Sequence, residues 1–355
     1  MNEIIDLRSD TVTLPSDKMR SAIAAAKLGD DVFGEDPSVN SLELKAADIM
    51  DKEAGLLVPS GTMGNLVSIL VHCQRGTEII VGDKAHTFVY EAGGISAFGG
   101  IHSRQLKNKE DGTIDIFDIK SAIRMDNIHF PKTSAITLEN SHNLCNGAPL
   151  TPAYINSISE ITNDNNMKLH IDGARIFNAA VALNVDVKEM VKGANSVTFC
   201  LSKGLGAPIG SVICGSERFI YHARRTRKAL GGGMRQAGII ATAGIFSLDN
   251  MLDQIRNDHQ NAKRLAEGID EIDGLFVDKK NIISNILYFD IEKGTSRCDK
   301  LASQTQNINI YPFEINLDGV RFFESSPNRF RLVTHYGIKK DDIEKALRII
   351  KKIVF

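Results

Sequence analysis

Lys203 stands in the segment Leu201-Ser202-Lys203-Gly204-Leu205-Gly206, directly after an apolar run. Glycine lets the backbone approach a bulky group closely, so a lysine among glycines suits an amine that must meet a large ligand. A desolvated amine in apolar surroundings is also a better nucleophile. From this segment alone two interpretations remain open, a covalent attachment site and an ordinary lysine in a surface turn.

Asp172 follows the run 168–171 and precedes Gly173-Ala174-Arg175. A carboxylate in that position could hold a pyridinium nitrogen protonated, which keeps a pyridoxal ring electron-withdrawing. The alternative role is a helix N-cap, which is common for Asp. Because Lys203 comes about one βαβ step later, the two side chains could meet at the ends of separate strands.

The turn Pro59-Ser60-Gly61-Thr62-Met63 precedes a run with helical spacing of apolar residues. Backbone N–H groups at a helix N-terminus bind phosphate, so Gly61 and Thr62 are candidate phosphate ligands. Capping of the helix by Ser60 or Thr62 is the alternative, and it is compatible with phosphate binding.

Four histidines lie in loops or after predicted strands, namely His86, His129, His142 and His335. The ring of His86 could stack on a cofactor, although a lone histidine in such a place is more often a hydrogen-bonded loop residue. No HExxH or other clear ligand spacing occurs, so the sequence predicts no metal site.

Arg175 and Arg331 are candidate clamps for a carboxylate, because a guanidinium binds carboxylate through two parallel hydrogen bonds. Arg331 interrupts the apolar run 330–333 and needs a partner if it faces inward. A substrate carboxylate would serve, and exposure on the outer face of the strand is the alternative.

Short apolar runs that alternate with amphipathic ones must position these side chains. The predicted strands cover residues 55–59, 78–82, 134–138, 168–172, 196–200 and 210–214, and the predicted helices cover 63–73 and 154–165. The alternation predicts an α/β fold, a mostly parallel sheet with helices on both faces. Ligands of such folds bind beyond the carboxyl ends of the strands, where Gly61, Asp172 and Lys203 fall.

The pattern changes after residue 250. One long charged helix is predicted over 253–272, followed by strands at 282–289, 319–323 and 330–334 and helices at 298–306 and 341–353. We therefore expect a large domain over residues 1–250, including an N-terminal arm, and a smaller C-terminal α/β domain over 251–355.

The composition of the 355 residues, 43% hydrophobic and 24% charged with a net charge of −2, is typical of a soluble globular protein. It gives no electrostatic support for nucleic-acid or membrane binding, and the basic run 224–228 is interpreted as a solvated helix face. Five cysteines without a CxxC spacing favour a reduced, cytoplasmic location. We expect neither a signal peptide nor a membrane span.

Five segments can be compared as a set. They are 5–13 (IDLRSDTVT), 29–37 (GDDVFGEDP), 170–178 (HIDGARIFN), 201–206 (LSKGLG) and 231–236 (GGGMRQ). In this order they closely resemble the motifs of the L-threonine aldolase family, and the resemblance runs from about residue 4 to residue 350. Phe33 departs from the family pattern, which has tyrosine at this position. The hydroxyl lost there, near the subunit interface, could alter the side-chain preference or a water network.

The resemblance implies an aspartate-aminotransferase-like fold, the cofactor pyridoxal 5′-phosphate and a homotetramer with active sites at subunit interfaces. It implies Lys203 as the Schiff-base lysine, Asp172 as the pyridinium partner and His86 as the residue stacked on the ring. At the phosphate it implies Gly61, Thr62 and, from a neighbouring subunit, Arg235. It implies that Arg175 contacts both cofactor and substrate, and that Ser9 and Arg331 also bind the substrate carboxylate. His86 and His129 would lie near the β-hydroxyl.

The implied reaction is retro-aldol cleavage of L-threonine or L-allo-threonine to glycine and acetaldehyde, a step of threonine catabolism and glycine biosynthesis. Two alternatives remain. One is another pyridoxal enzyme of the same fold, such as a β-eliminating lyase or a β-hydroxy amino acid transferase. The other is a non-catalytic scaffold or regulatory protein.

Overall fold

The computed structural model describes residues 4–291 and 312–354. They form two compact units, Pro15–Leu252 and a smaller one that combines Met1–Leu14 with Asp253–Phe355. The sequence assigned the N-terminal arm to the large domain, whereas the structure groups it with the smaller unit. The physical reason is that β1 (Ile5–Asp6) pairs in parallel with the strand at residues 320–326.

A seven-stranded sheet forms the centre of the larger unit. Its strands are β2 (Ala54–Val58), β3 (Glu78–Gly82), β4 (His102–Leu106), β5 (Thr133–Glu139), β6 (Lys168–Asp172), β7 (Ser196–Cys200) and β8 (Ser211–Gly215), in the order β2-β8-β7-β6-β5-β3-β4. Only β8 runs antiparallel to its neighbours, and all other pairs are parallel. The predicted mostly parallel sheet is therefore confirmed.

Eleven helices of the larger unit surround this sheet in the described part of the chain. They are α1 (Asp17–Ala24), α2 (Pro37–Ile49), α3 (Gly61–His72), α4 (His86–Val89), α5 (Gly94–Ala97), α6 (Ile116–Ala122), α7 (Pro152–Asp164), α8 (Ile176–Leu183), α9 (Val187–Val191), α10 (Glu217–Ala229) and α11 (Gly238–Asn250). Side-chain caps begin several of them, including Asp36 before α2 and Thr151 before α7, each followed by proline. None of the described helices is long and apolar enough to cross a membrane.

The basic run at the end of α10 is only partly the solvated face that its sequence suggests, because Arg225 and Lys228 are exposed whereas Arg227 is buried. Arg227 is only 2% exposed, and its Nη2 lies 2.7 Å from Asp31 Oδ2 while its Nη1 donates to the carbonyl of Leu57 at 2.6 Å. Arg224 pairs with Glu43 at 2.6 Å. Buried carboxylates outside the helix therefore draw these arginines inward, which helical charge spacing could not reveal.

The smaller unit contains a second sheet and two long helices. Its further strands are β9 (Leu275–Phe276), β10 (Ile286–Ile291), β11 (Phe313–Leu317), β12 (Val320–Ser326) and β13 (Arg329–Val333), in the order β1-β12-β13-β10-β9 with β11 beside β12, and its helices are α12 (Gln254–Asp270) and α13 (Lys340–Val354). The rings of Phe289 and Phe330 stack in its core with centroids 4.9 Å apart. The helix predicted at 298–306 lies outside the described residues.

Asp258 of α12 is completely buried in the smaller unit. Its Oδ1 accepts a hydrogen bond from Gln254 Nε2 at 3.1 Å, while Oδ2 has no partner among the described residues. Burial raises the pKa of Asp258 to about 7, and the nearby Asp10 carboxylate adds to the rise. Asp258 therefore takes up a proton on folding between its ordinary carboxyl pKa and about pH 7.

This uptake predicts how stability depends on pH. Because the native state binds the extra proton, the contribution of Asp258 to stability falls as pH rises from about 4 to 7 and stays lower above that, by up to about 4 kcal/mol. Asp258→Asn cannot ionise and keeps an acceptor for Gln254. We expect its thermal unfolding temperature, followed by circular dichroism, to fall less than that of the unsubstituted protein between pH 5 and pH 8.

Glu267→Gln on the exposed side of α12 serves as the control, and it should leave the pH dependence unchanged. Parallel loss of stability in Asp258→Asn and the unsubstituted protein would show that Asp258 does not titrate in this range.

Candidate active site

The carboxyl ends of adjacent parallel strands bring polar side chains together at one edge of the large sheet. Glu139 and Asp172 are register partners at the ends of β5 and β6. His86 begins α4 shortly after β3, and Lys203 follows β7. The charge of Lys203 acts on the pKa of Asp172, so these two predicted residues do meet electrostatically. This is the edge at which α/β folds bind ligands.

Asp172 is the most deeply buried charged group at this edge, only 2% exposed. Its Oδ2 accepts a hydrogen bond from Asn65 Nδ2 at 2.9 Å, and its Oδ1 accepts from the Ala174 backbone at 3.2 Å. Burial raises the pKa of Asp172, and the Glu139 charge adds to the rise. The charges of His86 and Lys203 act in the opposite direction. The carboxylate therefore depends on its neighbours to stay ionised.

His86 is held from two sides. Its backbone N–H donates to Glu139 Oε2 at 2.7 Å, and its ring Nδ1 lies 2.9 Å from Glu91 Oε1. Although burial works against the charged ring, the hydrogen bond with Glu91 and the charge of Asp172 raise the pKa of His86. Burial raises the pKa of Glu91 as well. The pair is a polar unit in which Glu91 orients the imidazole.

Glu139 differs from its neighbours because several groups stabilise its charge. Burial alone would raise its pKa, but the charge of His142 and the backbone N–H groups of Asn143 and His86 together hold the pKa of Glu139 below its ordinary value. Asn143 donates at 2.8 Å. An ionised Glu139 is thus a fixed negative charge beside Asp172.

Donor atoms of His86, Glu91 and Asp172 all lie within 4.8 Å of one another, as the ligands of a metal ion would. Asn65 Nδ2, however, already donates to both carboxylates, to Glu91 Oε1 and to Asp172 Oδ2, each at 2.9 Å. The amide NH₂ group thus bridges the two carboxylates, and hydrogen bonds account for their close approach.

Lys203 lies in a tightly folded loop that follows β7. The Gly206 backbone donates to the Lys203 carbonyl at 2.8 Å, and Leu201 donates to Gly210 at 3.0 Å. Gly206 has φ of +74°, a conformation that side chains other than glycine rarely adopt. Ser247 Oγ further donates to the Leu205 carbonyl at 2.9 Å. These bonds hold the half-buried lysine at the sheet edge.

The N-terminus of α3 is the candidate phosphate site. Ser60 caps the helix and accepts from Met63 N at 3.2 Å, so the capping role falls to Ser60. Gly61 is half-buried and the Thr62 side chain is exposed. Ser211 Oγ is buried without a hydrogen-bond partner among the described residues, 3.7 Å from the position that a Cβ on Gly61 would take. Backbone N–H groups and this hydroxyl could bind an anion.

Two glycines let α3 lie directly against β7. A Cβ on Gly64 would lie 2.4 Å from Thr198 Cγ2, and one on Gly61 would lie 2.8 Å from Cys200 Sγ. These distances are too short for a real Cβ, so only glycine permits this approach. The packing sets the position of both the helix N-terminus and Asn65 in its second turn.

The structure places the remaining predicted residues as follows. Arg175 is buried, with Nη1 donating to Asn143 Oδ1 at 3.3 Å, while Arg235 is exposed and pairs with Asp30 at 3.0 Å. His129 is exposed, and its backbone N–H donates to Asn127 at 2.9 Å.

Ser9 and Arg331 belong to the smaller unit. Ser9 Oγ accepts from Thr11 N at 3.2 Å, and Arg331 Nη1 donates to the Arg8 carbonyl at 3.1 Å. Arg331 is half-buried rather than exposed. Roles for His129, Arg235, Ser9 and Arg331 stay predictions.

Sequence reasoning missed Asn65, Glu91, Glu139 and His170. Glu139 ends a predicted strand and Asn65 lies one helical turn from Gly61, so both had a positional signal. Glu91 follows α4 without any pattern that marks it. His170 was interpreted only as a strand residue, although it precedes Asp172 by two residues in β6 and therefore lies on the same face of the strand.

Comparison with known proteins agrees with the family resemblance of the sequence motifs. The family model described as Beta-eliminating lyase matches residues 6–292. The chain is similar to low-specificity L-threonine aldolase 1 of Arabidopsis thaliana, with 45% identity over 346 residues that cover 97% of this chain and 94% of the relative. It is also similar to the low specificity L-threonine aldolase of Escherichia coli strain K12, with 41% identity over 343 residues and 97% coverage of each chain.

The fold is shared with a solved structure of a threonine aldolase from Leishmania major. The TM-score is 0.79 at 18% identity, and the match covers 99% of this chain and 100% of that one. At this identity the likeness concerns the fold alone, and it confirms the expected fold class.

The packing of α3 on β7 generates a prediction. Gly64→Ala should destabilise the protein by about 1–3 kcal/mol, because its methyl group would overlap Thr198 Cγ2. Adding Thr198→Ala removes the overlapping methyl group and should recover much of the loss. Gly94→Ala is the matched control, since its Cβ would meet Leu66 at an ordinary 3.5 Å. Chemical denaturation measures all four proteins.

If Gly64→Ala is as stable as the unsubstituted protein, or if Thr198→Ala adds its own cost without recovery, then close approach of α3 to β7 does not require glycine.

Proposed function

This chain belongs to the L-threonine aldolase family within the β-eliminating lyases, and we propose that it cleaves L-threonine and L-allo-threonine to glycine and acetaldehyde with pyridoxal phosphate as its cofactor. The observation that carries this proposal is the buried Asp172 carboxylate at the sheet edge, bound by Asn65 and lying within the electrostatic reach of Lys203.

The residues at this edge fit the cofactor. A pyridoxal phosphate enzyme needs a lysine for covalent attachment, an acidic partner for the ring nitrogen and a phosphate site. Lys203, Asp172 and the N-terminus of α3 would supply these in turn. The unpartnered Ser211 hydroxyl beside Gly61 supports the phosphate assignment. Thr62, and Arg235 from a neighbouring subunit, complete the proposed phosphate ligands.

When bound, pyridoxal phosphate supplies an electron sink for the bond that breaks next to the amino-bearing carbon. Asp172 would hold a proton at the ring nitrogen, which requires the carboxylate to be ionised. Burial and the Glu139 charge oppose ionisation of Asp172, whereas the charges of His86 and Lys203 favour it and Asn65 donates a hydrogen bond to the carboxylate. These neighbours therefore set the charge on which the proposed chemistry depends.

His86 is the proposed acceptor of the β-hydroxyl proton. Only the neutral form of His86 can accept this proton, and since Glu91 lies at Nδ1, that form carries its hydrogen on Nδ1 and a free lone pair on Nε2. A substrate hydroxyl, or a water that His86 orients, could then give its proton to Nε2. The ring would also stack on the cofactor. His129 is assigned a supporting role near the same hydroxyl.

Arg175 is the proposed ligand of the substrate carboxylate in the larger unit. Arg175 is only 6% exposed, so an anion that reached its guanidinium would be bound in a poorly hydrated place, where a charge-assisted hydrogen bond is strong. Fixing the carboxylate orients the bond that must break. Substrates without a carboxylate should therefore not be cleaved.

Assembly into a homotetramer is proposed on the family resemblance, and exposed apolar side chains support it. Ile128 is 98% exposed and Met125 73%, in the same loop as His129, and Phe33 is 73% exposed. Apolar groups exposed together mark surfaces that another chain covers.

A cytoplasmic location is proposed as well, since Cys73, Cys145, Cys200 and Cys214 are free and buried.

The reaction is tested by incubating the protein and pyridoxal phosphate with L-threonine. Acetaldehyde and glycine in equal amounts support the aldolase, whereas 2-oxobutyrate and ammonia would instead indicate β-elimination. Lys203→Ala should abolish product formation and the visible absorbance of the bound cofactor, because no other amine replaces the attachment point. Lys109→Ala, at an exposed lysine on the surface, should retain both.

A purified protein that takes up no pyridoxal phosphate would overturn the proposed function in all its forms. L-allo-threonine, assayed beside L-threonine, measures the preference between the two epimers.

The proposed assembly gives its own prediction. Ile128→Lys should weaken the tetramer, because a charged side chain would have to leave water at a covered surface. Size-exclusion chromatography with light scattering at a fixed concentration measures the mass, which we expect to be four chains before and fewer after the substitution. Asn163→Lys introduces the same charge on the exposed side of α7 and should leave the mass unchanged. Equal masses for the Ile128→Lys variant and the unsubstituted protein would place the interface elsewhere.

A further inference from the structure

A chain of hydrogen bonds runs from the Asp172 carboxylate back into the larger unit. Asn65 Nδ2 donates to Asp172 Oδ2 and to Glu91 Oε1, each at 2.9 Å. On its other side, Asn65 Oδ1 lies 3.1 Å from His170 Nε2. His170 Nδ1 in turn lies 2.8 Å from Ser196 Oγ. Asn65, His170 and Ser196 are each at most 1% exposed, so water does not compete for these bonds.

His72, the last residue of α3, ends this chain. Its Nε2 lies 2.7 Å from Ser196 Oγ, and its ring stacks on Phe219 with centroids 4.7 Å apart. Burial, with the charge of Lys168, lowers the pKa of His72 to about 3. Burial, with the neighbouring His72, also lowers the pKa of His170 to about 3. Both rings are therefore neutral near pH 7, and each carries a single N–H.

The two carboxylates determine the direction of every bond in the chain. An ionised carboxylate only accepts, so the Asn65 amide turns its NH₂ group toward Asp172 and Glu91 and its oxygen toward His170. That oxygen needs a donor, which makes Nε2 the protonated nitrogen of His170. His170 Nδ1 then accepts from the Ser196 hydroxyl, and Ser196 Oγ accepts from His72 Nε2–H.

We propose that His170 is a positioning residue, which fixes the Asn65 amide so that both of its hydrogens point at the carboxylates of the site, while Ser196 and His72 hold His170 in the required tautomer. Without the donor at His170 Nε2, only the two carboxylates would hold the amide in this orientation, and its oxygen would be left buried without the hydrogen bond that His170 gives it. The inference rests on the proposed function and deepens it, because Asp172 is the residue that would hold the proton of the ring nitrogen.

The surroundings of Asp172 explain why this orientation matters. Glu139 on β5 and Glu91 after α4 are negative groups beside it, and His86 on α4 and Lys203 after β7 are the positive ones. Asn65 is the neutral donor between the Asp172 and Glu91 carboxylates. A reversed amide would bring a third oxygen against them, and bonds that run in one direction along a buried chain strengthen one another.

Two substitutions of similar polarity separate positioning from mere packing. The amide of His170→Gln reaches the place of Nε2 and can still donate to Asn65, whereas that of His170→Asn reaches only the place of Nδ1. We expect His170→Asn to weaken pyridoxal phosphate binding about 10-fold, and His170→Gln to stay within about 3-fold of the unsubstituted protein. Titration of the apoprotein, followed by visible absorbance, measures both. Ser68→Ala removes another buried hydrogen bond of α3 and should have no effect.

The tautomer is measured without cofactor or substrate. In ¹⁵N NMR of the histidine-labelled apoprotein, we expect His170 to be neutral and protonated at Nε2, with a slowly exchanging proton. His170→Gln identifies its signals by their loss. A proton on Nδ1 instead, or equal cofactor affinity of the Gln and Asn variants, would overturn the positioning role. Failure of threonine cleavage alone would count against the proposed function and leave the NMR result standing.

Discussion

A carboxylate buried beside other carboxylates is the constraint on which the larger unit depends. Asp172 lies at the end of β6, almost without exposed surface, with Glu139 in register on β5. Removing such a charge from water is unfavourable unless hydrogen bonds and opposite charges offset the loss. Asn65 supplies the hydrogen bond, and the charges of His86 and Lys203 supply the rest. One of the groups that stabilise this carboxylate, Lys203, is also the proposed attachment point of the cofactor.

Helix α3 serves this arrangement at three points along its length. Its N-terminus offers backbone donors beside Gly61, its second turn carries Asn65, and its last residue, His72, ends the buried chain behind the site. A helix can do all three only at a fixed height above the sheet, and the glycines facing β7 set that height. A side chain at Gly64 would therefore disturb both the proposed phosphate site and the surroundings of Asp172.

The sequence predicted the strands of the larger sheet well, because buried parallel strands are short continuous apolar runs. It missed β4 because this edge strand consists mostly of polar residues and contains no such apolar run. Lys203, Asp172 and Gly61 were predicted as site residues from the ends of strands and the turn before a helix, and the motifs implied roles for them that stay predictions. Asn65, Glu91 and His170 were missed because hydrogen bonds between residues distant in the chain leave no periodic signal. The inward turn of Arg227 was missed for a similar reason, since its partner Asp31 is far away in sequence.

The central claim is that the polar cluster at the sheet edge binds a pyridine ring through Asp172. A crystal structure of the protein grown with pyridoxal phosphate tests it most directly. We expect the ring nitrogen within about 2.6–3.0 Å of the Asp172 carboxylate, Lys203 Nζ joined to the cofactor and the phosphate at the N-terminus of α3. A cofactor bound elsewhere, or a ring nitrogen turned away from Asp172, would contradict the account.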